Sequence, residues 1–290
     1  MTDDPRRGIA YAVAFGALIL GMDALVKHLT ALYPVAMIIW ARYVFHVATT
    51  PLLGLKGGVR GLLATARPAL QAARSLCMLG ATVTFFGALA YIPLADAIAI
   101  SFVAPFLITL LAVPVLGERV GPRRIAACGL GFLGALLIIR PGFEARHWAY
   151  LLPLGTAVAY AFYGILTRRL GAAERPTTSL FYTASIGALV SCAFVPFHWV
   201  APDATGWFLL AAVGVIAAVG HLLLIQAYRL APASLVAPFG YLDMVWATLY
   251  GLILFDEFPD RLTWIGIAVI VGSGLYVFRR AALVPKEHDG

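Results

Sequence analysis

Ala90-Tyr91-Ile92-Pro93-Leu94-Ala95-Asp96-Ala97 returns further along the chain as Ala227-Tyr228-Arg229-Leu230-Ala231-Pro232-Ala233. The echo continues outward from this stretch. Leu116-Gly117-Glu118 is answered by Phe255-Asp256-Glu257, and Arg123-Arg124 at the head of a Gly-dotted apolar run is answered by Arg261 ahead of Gly266, Gly272 and Gly274. One unit is written twice, almost wholly in apolar residues.

The chain is 62% hydrophobic and 12% charged, against roughly 25% charged residues in a typical soluble domain, so water is not its only solvent. Ser75–Ala95, Ala97–Gly117, Trp148–Thr167, Pro176–Phe197 and Leu262–Phe278 hold no charge at all. Stretches of that length match a hydrocarbon core of roughly 30 Å at about 1.5 Å of helical rise per residue. The sequence therefore predicts an all-α membrane protein with ten spans, at 8–29, 34–54, 71–91, 95–116, 123–140, 148–169, 178–199, 206–229, 233–255 and 261–280. No soluble domain is left over. Met1–Arg7 is short and no small-residue cleavage site follows the first apolar run, so the first span reads as retained.

Orientation follows from the basic residues. With the N-terminus inside, the cytoplasmic segments hold sixteen Lys and Arg, among them Lys56, Arg60, Arg74, Arg119 and Lys286, while the other side holds only Lys27, Arg140, Arg146 and Arg261. The positive-inside rule then puts both termini in the cytoplasm, and the net charge of +7 reports orientation rather than affinity for nucleic acid. Five spans per half is an odd number, so the second copy enters the bilayer upside down. The expected architecture is two inverted five-helix repeats, 8–140 and 148–280. Secondary transporters share it, with the ligand site between the copies.

Ionisable groups at a helix centre cost about 2.5 to 3.5 kcal/mol on insertion scales and need a partner or a wet cavity. Few exist here: Asp23 in the first span, Arg42 and His46 in the second, His221 in the eighth and Asp243 in the ninth. Arg42 and His46 share a face at four-residue spacing, as do Asp23 and Lys27. One reading is an Asp23 to Arg42 pair lining a cavity, with Arg42 free for a substrate carboxylate; the other is a structural ion pair that pins two helices. Each His alone reads as hydrogen-bonded packing. Asp243 is the candidate for a coupling proton.

Trp148, Trp199, Trp207 and Trp264 are candidates for an interfacial aromatic belt. Tyr43, Tyr160, Tyr163, Tyr182 and Trp246 lie deeper, where a hydroxyl or indole N–H needs a polar partner. Phe239, Asp243, Trp246 and Tyr250 form one stripe, which suits either plain helix packing or an amphipathic solute. Pro105, Pro114 and Pro238 are candidate kinks for gating. Glu118 and Glu257 precede the fifth and tenth spans, where a carboxylate meets a helix N-terminus, so they read as structural.

Ala88 through Ala97, Pro105 within an apolar helix, Leu116-Gly117-Glu118-Arg119 and the Gly-rich fifth span together resemble the EamA repeat of the drug/metabolite transporter superfamily. Ala227-Tyr228, Leu230-Ala231-Pro232-Ala233, Ala237-Pro238-Phe239, Tyr241, Val245-Trp246-Ala247 and Asp256-Glu257 carry the same resemblance in the second half. It spans residues 8 to 280. The resemblance implies an inner-membrane carrier of small organic solutes that works without ATP, commonly an exporter of amino acids, aromatic ones included. Carriers of S-adenosylmethionine are in the same family, and that solute is the alternative reading. One departure stands out: Leu242-Asp243 occupies the place of Ala104-Pro105, and solute recognition is expected where the copies differ.

Other chemistries find no support. Gly129-Leu130-Gly131-Phe132-Leu133-Gly134 spells a dinucleotide fingerprint, yet it lies inside an apolar span with no preceding strand and no acid about 20 residues on, so close helix packing explains it better. No cofactor or metal-ligand cluster is expected. A channel would need a continuous polar path, and an intramembrane enzyme a convergent nucleophile and base.

Overall fold

The computed structural model describes residues 4–53, 62–117, 120–140, 147–170, 174–231 and 236–282. Glu118, Arg119, Lys56, Arg60, Arg146 and Lys286 lie outside the described residues. Eleven α-helices run through the rest: α1 Pro5–Thr30, α2 Val35–Thr49, α3 Pro68–Leu89, α4 Leu94–Ser101, α5 Ala104–Leu116, α6 Pro122–Ile139, α7 Leu152–Leu170, α8 Pro176–Phe194, α9 Ala204–Leu230, α10 Asp243–Phe255 and α11 Arg261–Ala282. No strand occurs among the described residues.

Seven helical segments are long and apolar enough to cross a bilayer, with α4 and α5 counting as one, and three shorter apolar helices, Val35–Thr49, Phe239–Phe255 and Arg261–Val277, accompany them. Each falls on one of the ten predicted spans. Starts are set by proline and capping side chains. Pro5, Pro68, Pro122 and Pro176 each sit in a first turn, where a missing N–H costs nothing, and Asp4 and Asp203 accept backbone N–H bonds from Arg7 and Gly206.

The fourth and ninth predicted spans are broken. Phe102 and Val103 interrupt the fourth, and Pro105 opens α5 in its first turn. In the ninth, a 3-10 turn over Ala237–Leu242, with Pro238 in its first turn, precedes α10. Pro114 stays inside α5 three residues before the left-handed Gly117 cap, φ 71°.

Contacts between the halves recur in exchanged pairs. α1 packs on α9 as α7 packs on α3, α2 on α9 as α8 on α3, and α10 on α1 as α5 on α7. The self-paired contacts are α2 with α8, α4 with α10 and α6 with α11. The core runs through the middle, and Leu94 through Ile100 of α4 are buried on every side.

Polar ties close one end of the bundle. Lys27, near the end of α1, donates to the Ile92 carbonyl at 2.7 Å, pairs with Glu257 at 2.9 Å and lies 5.4 Å from the Phe255 ring. Glu257 is thus held by a cation, and the residue that caps α11 is Asp260, whose carboxylate accepts the Thr263 N–H at 2.8 Å and pairs with Arg140. Burial alone would raise the Asp260 carboxyl, but the Arg140 and Thr263 hydrogen bonds and the guanidinium charge outweigh it and hold it at about 2. A carboxyl held below its ordinary value stabilises the fold at pH above about 4 and loses that contribution as pH falls toward about 2. Asp260 is half exposed, so screening limits the effect to under ~1 kcal/mol. Asp260→Asn should therefore lower the thermal unfolding midpoint in detergent at pH 6 more than near pH 2; an equal offset at both would refute the linkage.

Candidate functional site

The break before α10 positions the first charged group. Asp243 is the first residue of that helix, directly after the 3-10 turn, and its N–H bonds back to the Gly240 and Tyr241 carbonyls. Gly16 of α1 makes room for it: a β-carbon there would lie 2.6 Å from the Asp243 Oδ1 and 3.6 Å from Trp246 Cδ1. One turn on, Tyr250 donates to the Ala17 carbonyl at 3.1 Å. The aromatic stripe of α10 therefore packs on α1. Trp246 nevertheless leaves its indole N–H buried with no partner.

Asp23 lies on α1, only 5% exposed, in the field of both Arg42 and Asp243. Among the described residues no ion pair joins Asp23 to Arg42, and no hydrogen bond satisfies Asp23. Arg42 of α2 turns instead toward α3. Its Nη1 donates to the Thr82 hydroxyl at 3.2 Å, and its guanidinium carbon lies 4.9 Å from the Tyr43 ring and 5.7 Å from the Phe86 ring. Its Nε is buried and has no hydrogen-bond partner among the described residues. Tyr43 shares the Thr82 hydroxyl at 2.9 Å, and its ring fits against Gly187 of α8, where a β-carbon would lie 2.5 Å from Cε1.

The two histidines, read singly from the sequence, come together. His46 of α2 and His221 of α9 have ring centroids 5.5 Å apart, and His221 Nδ1 lies 2.7 Å from the Ala217 carbonyl oxygen. His221 and Asp243 are each partly buried.

The structure thus gathers Asp23, Arg42, Tyr43, His46, His221, Asp243 and Trp246 between α1, α2, α9 and α10. Tyr163 joins through a residue the sequence reading missed. Arg74, counted there among the cytoplasmic charges, is 3% exposed inside the bundle. Its Nε donates to Thr167 at 2.6 Å, Nη1 to the Ser179 carbonyl at 3.1 Å and to Thr183 at 3.0 Å, and Nη2 to Tyr163 at 2.5 Å. The signal was present: Gln71, Arg74 and Ser75 share one helix face, and all three are buried. Asp96 was also passed over. It is 3% exposed and accepts the Tyr150 hydroxyl at 2.7 Å.

Two predicted site residues lie elsewhere. Tyr160 is 45% exposed, its ring 5.6 Å from that of Tyr163, and Tyr182 donates to the Leu63 carbonyl at 3.1 Å. A groove lined by Arg123, Leu130, Gly272, Ser273 and Tyr276 runs along α6 and α11 and shares no residue with the central cluster.

The cluster offers a cation with an unused donor, two carboxylates, an unused indole N–H and aromatic faces, all within an apolar bundle. No metal-holding group of His, Cys, Asp or Glu occurs among the described residues. Such an arrangement is chemically suited to a small polar or amphipathic organic molecule.

Comparison with known proteins gives the family. The sequence profile of the EamA-like transporter family matches residues 147–279. The chain is 30% identical to a riboflavin transporter of Brucella anthropi over 87% of its own length and 90% of that protein's. It is 31% identical to a pseudopaline exporter of Pseudomonas aeruginosa, over 92% and 94%. A Rickettsia prowazekii S-adenosylmethionine uptake transporter is 26% identical over 75% and 74%. A solved crystal structure superposes with a TM-score of 0.61 at 22% identity, covering 94% of this chain and 99% of that one, which bears on the fold alone. The chain belongs to the EamA-like transporter family of the drug/metabolite transporter superfamily.

Proposed function

We propose that the protein is a ten-span secondary carrier of two inverted five-helix repeats, 8–140 and 148–280. It would move a small organic solute across the inner membrane by alternating access, with both termini cytoplasmic. The observation that carries this reading is the central cluster: charged side chains from α1, α2 and α10 meet in mid-bundle without satisfying one another. The exchanged contact pairs support the inverted repeat. Pro105, Pro114 and Pro238, at or beside the two broken spans, are the bending points of the cycle.

The solute favoured by the cluster is an amino acid or close relative, exported, with its charged groups on Arg42 and the acids and an apolar or aromatic end on Trp246 and the Tyr43–Tyr163 side. S-adenosylmethionine is the second reading. Asp23 and Asp243 would face its sulfonium, and a relative is named for that solute. Riboflavin and pseudopaline, named for other relatives, belong in the same trial. Counterflow in proteoliposomes loaded with each solute decides. Saturable exchange supports a carrier, non-saturating flux a channel, and no exchange with any solute would remove the reading.

Asp243 is the proton carrier of this scheme, because it is a partly buried carboxylate in mid-span that forms no ion pair among the described residues. An imposed pH gradient should stimulate wild-type transport and fail to stimulate Asp243→Asn, with exchange at zero gradient remaining in the variant. A gradient response that survives the substitution would clear Asp243 of this role.

A further inference from the structure

Two guanidinium groups are buried in this bundle, and among the described residues neither forms an ion pair with a carboxylate. Arg74 is held by Thr167, Thr183, the Tyr163 hydroxyl and the Ser179 carbonyl, with the Tyr163 ring 4.4 Å from its guanidinium carbon. Every one of these partners is neutral. Glu174 faces the same patch but is engaged with Thr65, the Ala66 N–H and Gln71, and no ion pair with Arg74 occurs among the described residues. Arg42 has only the Thr82 hydroxyl and two aromatic faces. Both charges act on Tyr163 and on His221, so they share one end of the cluster. The acids of the cluster stand on α1 and α10, and Asp23 also lies in the field of Arg42.

A buried cation costs several kcal/mol unless a counter-charge accompanies it. Arg42 and Arg74 instead rest on neutral acceptors within hydrogen-bond reach, which leaves both charges without a paired anion among the described residues. Arg74 has given four N–H bonds to fixed neutral acceptors, so it acts on a ligand through its charge. Arg42 retains a buried, unpartnered Nε, and an arginine edge with free donors matches a carboxylate in geometry as well as sign.

We propose that the missing anion is the solute's own carboxylate, bound at the Arg42 and Arg74 end, and that Arg74 is the positioning charge that sets this preference. This rests on the carrier reading above and narrows it by substrate class. The solute lies with its carboxylate toward α2 and α3 and its amine or other donor toward Asp23 and Asp243. Solutes without a carboxylate leave both guanidinium groups uncompensated and are rejected.

The test is counterflow in proteoliposomes with matched probes: phenylalanine against phenylalaninamide, methionine against methioninamide, S-adenosylmethionine, and riboflavin, which carries no carboxylate. At least one carboxylate probe should exchange faster than its amide and than riboflavin by roughly tenfold or more, since a site built around a polar group rejects analogues lacking it. Arg74→Gln should collapse that ratio, while Arg74→Lys, which keeps the charge, should preserve most of it. The ratio is taken on one preparation, so lower abundance of a variant cancels, and the wild-type ratio stands if a variant does not insert. Equal exchange of acid and amide, preference for riboflavin, or a ratio unmoved by Arg74→Gln would each overturn this inference alone. Exchange of no probe would overturn it together with the carrier reading.

Discussion

Arg42→Lys should lower counterflow of the transported solute by roughly ten- to a hundredfold, the factor expected when a charged hydrogen bond worth about 1.5 to 3 kcal/mol is lost. Membrane abundance should be unchanged. The substitution keeps the charge and removes the planar fork. Lysine can still reach Thr82, but it lacks both the planar group that Arg42 sets 4.9 Å and 5.7 Å from the Tyr43 and Phe86 ring centres and the second donor that its Nε provides. A role confined to helix packing gives a different result. The Lys variant would then be less abundant or less thermostable, and exchange per inserted molecule would hold. Normal exchange per molecule would remove Arg42 from the solute site. Thr82→Val provides a second view, since it frees both Arg42 and the Tyr43 hydroxyl from their shared partner; its smaller deficit should fall on affinity rather than on maximal exchange.

The repeat and the charge-free stretches carried the helical architecture because span length and apolarity are properties of a single segment. Helix ends were legible for a similar reason: Pro5, Pro68, Pro122 and Pro176 mark first turns whatever surrounds them. The break at Phe102–Val103 was signalled only by Pro105 just beyond it, and the 3-10 turn before Asp243 only by Pro238. Proline announces that a helix must start or bend nearby, but the exact residue depends on which neighbours satisfy the freed backbone groups.

The candidate site was legible as a set of residues and illegible as a set of pairs. Charge in an apolar span picks out Asp23, Arg42, His46, His221 and Asp243 one at a time, because desolvation cost is local. Spacing along a helix then fixes a face but not the helix it meets. Arg42 therefore turned to Thr82 of α3 rather than to Asp23, and His46 met His221 from the other half of the chain. Arg74 escaped for a subtler reason. It stands at the edge of a charge-free run, where a basic residue ordinarily marks the cytoplasmic surface, and its burial depends on Thr167, Ser179 and Thr183 from two distant helices.

Gly134→Ala should lower stability by about 1 to 3 kcal/mol, whereas Gly129→Ala, in the same Gly129–Gly134 motif, should be neutral or slightly stabilising. The backbones of α6 and α11 touch at Gly134 and Gly266. A β-carbon at Gly134 would lie 2.9 Å from the Gly266 carbonyl oxygen, and one at Gly266 would lie 2.7 Å from the Gly134 carbonyl oxygen. Those contacts are backbone and cannot rotate away, so the helices must part. Overpacking of this kind costs about 1 to 3 kcal/mol and more where nothing yields. Between membrane helices the loss is harder to recover, because close van der Waals approach is itself what drives them together. Gly129 faces open space with nothing within 4 Å of a β-carbon, and there alanine gains up to about 1 kcal/mol of helix propensity. Thermal unfolding midpoints of the two purified variants in one detergent measure the contrast. A dinucleotide site would need both glycines for backbone approach to a phosphate, and would show itself as equal sensitivity at the two positions; unequal sensitivity, with Gly134 the intolerant one, is the signature of two helices in contact.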